Sequence, residues 1–500
     1  MMMNLRTMMA VVVLCLTSSR LVAQDLQAFS FPPIIQGEAF AVTIDKAGNQ
    51  FIAGRFMGTL DFNPGVGDDT KTSGGGFDVF VTRINADNTY AWTKTFGGSL
   101  IDIPKSVVII GNTLYVGGTF ASTNAGVGGG GSLAASGLRD VFVWAMDATT
   151  GLSIPTFGNG GIQTFGGTGT DNLQAMVAYG KNLIVAGNFD STNAGVGGPG
   201  TIAAAHALDC YVIMMNGITG ALETKFGTDG GVAFGGSDVD EVAHIAVSGS
   251  TLYVTGNFKS LDFGYEGTTL FAPLGVRSAF ILSINLKNGS INKKFGTIGA
   301  VRFGGGATTY GWRLAVSGSS IFMGGTLLSN NAGLNALGTF STNGMDDAYV
   351  ISLTKAGTLN TKFGTGGFIH FGGGANETFG GMAVSKSLYF TGVTESDNAP
   401  LGPGAVAGHV DKKDIFIVAV NPRDGTMNSK TSFGFSFFGG SEDELCNDLA
   451  VGKKAVFVAG SFNSQNAGYR GTAGYRTNNQ FGGLILPFDI LTGVFPVPKP

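Results

Sequence analysis

"LYVGG", Leu114–Gly118, is a short apolar strand that stops on glycine, and six close counterparts occur along the chain. They read "QFIAG", "LIVAG", "LYVTG", "IFMGG", "LYFTG" and "VFVAG", ending at Gly54, Gly187, Gly256, Gly325, Gly392 and Gly460. Taken in order with Gly118, the final glycines are 64, 69, 69, 69, 67 and 68 residues apart. A period held over seven units marks a repeat architecture, so 500 residues here need not mean several unrelated domains.

Each unit reads as four strands. A first strand of the "KSVVIIG" type leads through a tight polar turn into the Gly-ending strand. A third strand follows, usually opened by Asp, as in "DVFVTRI", "DVFVWAM" and "DAYVISL". The fourth ends in "FGG", at Phe96, Phe165, Phe234, Phe303, Phe371 and Phe438. Four antiparallel strands repeated seven times predict an all-β fold, a single seven-bladed β-propeller. The blades fall near 38–98, 99–167, 168–236, 237–305, 306–373, 374–440 and 441–500. The FGG series has six members, and stepping back one period from Phe96 lands on Phe31. The N-terminal strand, residues 26–31, is therefore expected to complete the outer edge of the last blade and remove an open sheet edge.

Composition agrees with a packed β protein. Gly supplies 83 residues and Phe 39, while charged residues are only 13%. So apolar a chain can offset its ordering entropy and is not a disordered one. The opening "MMMNLRTMMAVVVLCLTSSRLVAQ" has a basic start at Arg6, an apolar run too short to span a bilayer and small residues before Gln24. It reads as a signal peptide, residues 1–23, with the propeller in 24–500 and the protein secreted or at a cell surface. Arg6 and Arg20 lie in that segment, so cleavage takes the formal charge from −4 to −6. A mildly acidic chain gives no electrostatic reason to bind nucleic acid or an anionic membrane, and no later run is long enough to span one. The two remaining cysteines, Cys210 and Cys446, lie in distant repeats and are expected to be separate thiols.

Two known repeats are similar to parts of this chain. "KAGTLNTKFGTGGFIHFGG", from Lys355, resembles the delta-60 repeat of bacterial secreted proteins, with related "FGTDGG" and "FGTIGA" at Phe226 and Phe295. "GTLDFNPGVGDDTKTSGGGFDVFVTRINADNTYAWTKTFGGS", from Gly58, is similar to the seven-bladed propeller repeat of bacterial surface and secreted proteins. The resemblance implies architecture; such propellers serve adhesion, binding and scaffolding without a shared active site.

Candidate sites follow from loop placement. "STNAGVG" occurs identically at Ser122–Gly128 and Ser191–Gly197, in loops between second and third strands, with counterparts at Asn331, Asn398 and Asn466. Asn, Asp and Gly there read as repeated turn chemistry, or as a calcium or ligand site short of carboxylates. Loops from the fourth strand to the next blade share that face, and an acid lies six residues after most FGG phenylalanines: Asp102, Asp171, Asp240, Glu377 and Glu444. Thr309 breaks the series, and Glu38 stands one place late. These six acids are expected either to cap backbone amides or to ring the channel mouth as a cation or polar-ligand site.

Catalytic constellations are scarce. His206, His244, His370 and His409 have no metal-ligand spacing. Gly-rich runs lack the Lys and helix of a phosphate loop, and Trp92, Trp144 and Trp312 do not recur at one blade position. At the acidic rim, Asp240 with Glu241, and Asp443 with Glu444, are the only dense acids for a polysaccharide lyase or glycosidase. Neighbours on a strand point to opposite faces, which weakens both. Asn288 and Asn376 match the glycosylation pattern at no more than chance frequency. The expected protein is thus non-enzymatic and without cofactor, calcium being the one cation left open. Its expected partner is an extracellular protein or glycan, or further copies of itself.

Overall fold

The computed structural model describes residues 29–30 and 37–490, apart from 64–66, 205–207, 398, 401–405, 408–411, 429–433, 465–466, 470–471 and 476–481. The expected signal segment, most of strand 26–31, His206, His409, Asn398 and Asn466 lie outside the described residues.

Among the described residues every regular element is a β-strand, and seven antiparallel sheets stand in a ring. The second blade is representative: Asp102–Ile110, Thr113–Phe120, Asp140–Asp147 and Ile162–Gly166 pair in chain order from the inside out. The inner strand of each blade touches the inner strands of both neighbours, the first and the seventh included. The last blade comprises Glu444–Val451, Ala455–Phe462 and Gly482–Asp489, and its fourth place is taken by Phe29–Ser30. Phe29 pairs with Ile485 and Ser30 with Leu484, so the two ends of the described chain share one sheet. The sheets hold four to six strands rather than four throughout. The extra strands are short pieces of the following blade's loop, such as Gly126–Val127 laid along Tyr90–Gly97.

The recurrent glycines have a steric cause. A Cβ at Gly54, Gly118, Gly187, Gly256, Gly325, Gly392 or Gly460 would lie 1.8–2.2 Å from a carbonyl oxygen of the adjoining inner strand. Just beyond that contact each inner strand carries a bulge, for example between Pro104 and Ser106 or between Val242 and His244. Bulges bend and twist a strand locally, and here each re-aims residues toward the axis of the ring.

Packing explains the remaining signature. There are seven buried clusters, one at each junction between blades; Ala39, Ile52 and Phe80 meet Ala455, Phe457 and Ala459 at the closing one. The phenylalanine of FGG reaches an aromatic on the third strand of the next blade. Ring centroids are 4.6 Å apart for Phe96 and Phe142, 4.7 Å for Phe165 and Tyr211, and 4.3 Å for Phe371 and Phe416. Such pairs add about 0.5–1.5 kcal/mol each beyond burial.

Candidate functional site

The acids of the inner strands are turned into the blade junctions. Asp102, Asp171, Asp240, Glu377 and Glu444 have no exposed surface. Asp102 accepts hydrogen bonds from Gly98 N at 2.9 Å, Ala121 N at 3.1 Å and the Ser122 hydroxyl at 2.8 Å. Asp171 repeats this with Gly167 N and Ser191, Asp240 with Ser260, and Glu377 with Gly373 N and Thr394. These five carboxylates are caps within the protein and do not form an open ring at the channel mouth. Glu38 differs, because Gly37 occupies the capping place and Glu38 faces the other way. It pairs with Arg55 at 2.9 Å and accepts a hydrogen bond from Asn447 Nδ2 at 3.0 Å, joining the first blade to the last.

Each capping acid has a second carboxylate beside it. The Asp that opens the preceding blade's third strand, at 78, 140, 209, 347 and 414, is also buried. The first glycine of FGG lies against it. A Cβ at Gly166 would be 2.6 Å from Asp140 Oδ1 and 2.9 Å from Asp171 Oδ2. Where one member of the pair changes, so does the other: Ser278 stands beside Thr309, and at the closure Gly482 and Gly37 hold the two equivalent places. Burial, opposed in part by hydrogen bonds, raises Asp78, Asp102, Asp140, Asp171, Asp240, Glu377 and Glu444. Asp171 and Asp240 rise to about 6, Asp78 to about 7 and Glu444 to about 8, with Asp102 further raising Asp78 and Asp414 further raising Glu444.

The echoed loop is a latch between blades. Asn124 Oδ1 accepts from Ser99 N, Asn193 from Thr168 N, Asp262 from Ser237 N and Asn331 from Gly306 N, all at 2.8–3.0 Å. Gly126–Val127, Gly195–Val196 and Gly333–Leu334 then pair onto the preceding blade's outer strand. Ser122, Ser191, Ser260, Ser329, Ser396 and Ser464 are buried beneath the latch. Sequence reasoning missed this serine series, although its regular spacing was there to find. Ser260→Ala removes a donor to Asp240 and the acceptor for Asp238 N. It should cost about 1–3 kcal/mol, read as a lower midpoint in chemical denaturation; an unchanged midpoint would contradict the role.

The central channel carries different chemistry. Bulge residues of successive inner strands, Phe40, Lys105, Gln174, Ala243, Trp312 and Asn447, line a cavity of about 330 Å³. Arg313 donates to Asn447 O at 2.5 Å, and Asp448 accepts from Val42 N at 3.1 Å. His244 Nδ1 accepts from Leu314 N at 3.3 Å. Burial and then Arg313 hold this imidazole down at about 3, so it is neutral. Glu241 is ion-paired with Arg277. Lys105 is open to the water of the channel yet enclosed by protein, with its ammonium 5.1 Å from the Phe40 ring. Desolvation, then Arg313, push it down.

The exposed large hydrophobics gather on the loop face. Of the eleven exposed large hydrophobics among the described residues, nine lie on loops that open on this face; Leu138 and Leu261 are each 76% exposed. Only Leu152 and Ile218 belong to loops of the opposite face.

Other expected sites are not brought together. In both adjacent acid pairs one partner, Asp240 or Glu444, is a buried cap, while its neighbour is directed elsewhere. His370 Nδ1 lies 2.9 Å from Asp347 Oδ2, far along the chain from His244. No group of three or more His, Cys, Asp or Glu among the described residues is arranged to hold a metal. Cys210 and Cys446 are separate thiols. Asn288 is exposed, whereas Asn376 donates to Glu395 at 2.8 Å. Among the described residues no helix is long and apolar enough to cross a membrane.

No protein-family model and no curated protein sequence matches this chain. Among solved structures, the chain is similar to the crystal structure of the computationally designed Ika8 protein. That match has 9% identity over 92% of this chain and 99% of the other, with a TM-score of 0.38, too low to support any argument.

Proposed function

We propose that this propeller is a secreted, non-enzymatic binding module, allied to the bacterial repeats it resembles, that docks another protein on its loop face and needs no cofactor. The observation that carries this reading is the one-sided distribution of exposed Leu, Val, Ile and Met. Apolar side chains gathered on one face of a soluble fold mark an interaction surface. The exposed residues are aliphatic or thioether with no aromatic among them, which suits an apolar protein surface better than a sugar ring. Methionines such as Met345 add adaptable contact. What weighs against a polysaccharide-acting enzyme is that Asp240 and Glu444 are buried as caps and Glu241 is ion-paired, which leaves neither adjacent pair free to act together.

Photo-crosslinking in the cells that make the protein tests this. A benzophenone side chain at position 138 or 261 should give a discrete protein adduct, and one at 152 or 218 should not. Val276→Asp with Met345→Asp should abolish the adduct while leaving the melting temperature within a few degrees. Equal adducts from both faces, or none from 138 and 261, would overturn the proposal. Retained binding on a glycan array in that case would favour a sugar ligand.

A further inference from the structure

We infer that the central channel is a binding site for a small oxyanion, a carboxylate or a phosphate, received by Lys105. The proposal is independent of the docking face, because it rests on the bulged inner strands.

Charge pairing around the channel leaves one cation over. Glu38 is held by Arg55 and Asn447, and Glu241 by Arg277. Asp448 lies near Arg313 and accepts from Val42 N. Lys105 makes no hydrogen bond or ion pair among the described residues, and its charged neighbours are Arg313, Glu38 and Arg55, the carboxylate being already held by Arg55 and Asn447. An ammonium with no partner of its own, beside two guanidinium groups and one carboxylate that is already paired, leaves a net positive charge in the channel that favours an anion there.

The neutral lining also offers donors. Asn257 is fully buried and lines the cavity; its Oδ1 accepts from Gly311 N at 2.8 Å, whereas its Nδ2 has no partner. An unmatched buried amide donor in a cavity wall is an uncommon feature that calls for an acceptor. His244 also lines the cavity, and with Nδ1 accepting from Leu314, the neutral ring keeps its proton on Nε2. Ammonium, amide and imidazole N–H all donate, and the carboxylates nearby are occupied. A ligand with several acceptor oxygens and negative charge satisfies this set, and a cavity of about 330 Å³ is of small-molecule size. The bulge ring supports a dedicated use: Phe40, Lys105, Gln174, Ala243, Trp312 and Asn447, from six of the seven blades, are all different, although the scaffold around them repeats.

The test is calorimetric titration of the full chain at pH 7 and low salt with inorganic phosphate and, separately, with glucuronate. At least one should bind, weaken as salt is raised, and bind about tenfold more weakly or worse to Lys105→Met. Lys105→Arg should retain most of the affinity, and Lys46→Met, at an exposed turn, should leave it unchanged. Binding of phosphate alone, or of glucuronate alone, identifies which oxyanion the site takes. On the unmodified protein, the bound anion should slow reductive methylation of Lys105 relative to Lys46, read by mass spectrometry. That measurement decides the matter if Lys105→Met does not fold. Failure of both probes at millimolar concentration, or binding unaffected by Lys105→Met with no protection of Lys105, overturns the inference.

Discussion

Gly256→Ala is expected to remove at least ~3 kcal/mol of stability, and the variant should accumulate as insoluble protein or melt many degrees below the parent. The added methyl would stand 1.8 Å from Glu241 O and 2.8 Å from its carbonyl carbon. Both obstacles are backbone, and both belong to the strand that bulges into the channel, so no side chain can swing away to make room. Overpacking that flexible side chains absorb costs ~1–3 kcal/mol; a clash with paired backbone must open the sheet and costs more. Gly249→Ala is the matched control. It is exposed at the turn before the same strand, with φ +61° and nothing within 4 Å of an added Cβ, so its cost should be only the ~1 kcal/mol of a left-handed alanine. Equal melting temperatures for the two variants would refute the steric reading of all seven glycines.

Stability should fall as pH rises from 5 to 8, the reverse of the usual acid-sensitive protein. Asp171 and Asp240 are raised to about 6, Asp78 to about 7 and Glu444 to about 8, all above the ordinary carboxylate range. Between about pH 4 and those values the folded chain holds protons that the unfolded chain has released. His244, held at about 3, works the other way up to about 6.5, with one proton against these four. Proton linkage therefore makes unfolding easier with each step up in pH, by about 1.4 kcal/mol per pH unit for every such proton. The full benefit is present below the unfolded-state values and is lost through the folded-state ones. We expect a loss of at least ~3 kcal/mol across this interval, measured by urea denaturation in buffers of matched ionic strength. Asp78→Asn sharpens the test. Asp78 Oδ2 accepts from Gly74 N at 2.9 Å, while Oδ1 has no hydrogen-bond partner. The amide can keep the first bond and remove the charge. The variant should match the parent at pH 5, exceed it at pH 8 and have a shallower pH slope. A stability that rises from pH 5 to 8 would show that these carboxylates are ionised in the folded protein.

The glycines and FGG phenylalanines were legible in the sequence because the same steric demand arises at all seven blades, and the same stacking demand at five junctions, and each leaves the same residue. The acid series was legible as a position but not as a direction. Asp102 opens an inner strand, and chain order alone points it at the channel mouth; the space left by Gly97 and Gly98 and the buried Ser122 turn it into the junction. One trace of the true arrangement was present, since Ser278 and Thr309 lose their carboxylates together. The channel wall was illegible for the opposite reason. Lys105, Trp312 and Asn447 hold equivalent places on the bulges, yet no two are alike, and periodicity is blind to positions that vary within the repeat.

The shared last sheet also shapes how the chain reaches its fold. Ser30 meets Leu484, and Glu38 meets Asn447, across more than 400 residues of sequence. Those contacts close loops of more than 400 residues, so we expect them to form after the more local blades between them. Until then the strand Gly482–Asp489 presents an unsatisfied outer edge, while Phe29–Ser30 waits for a mate. A nascent or strained molecule can relieve that edge with the equivalent strand of another copy. Exchange of the opening strand between two rings is therefore the expected misassembly when the protein is refolded at high concentration.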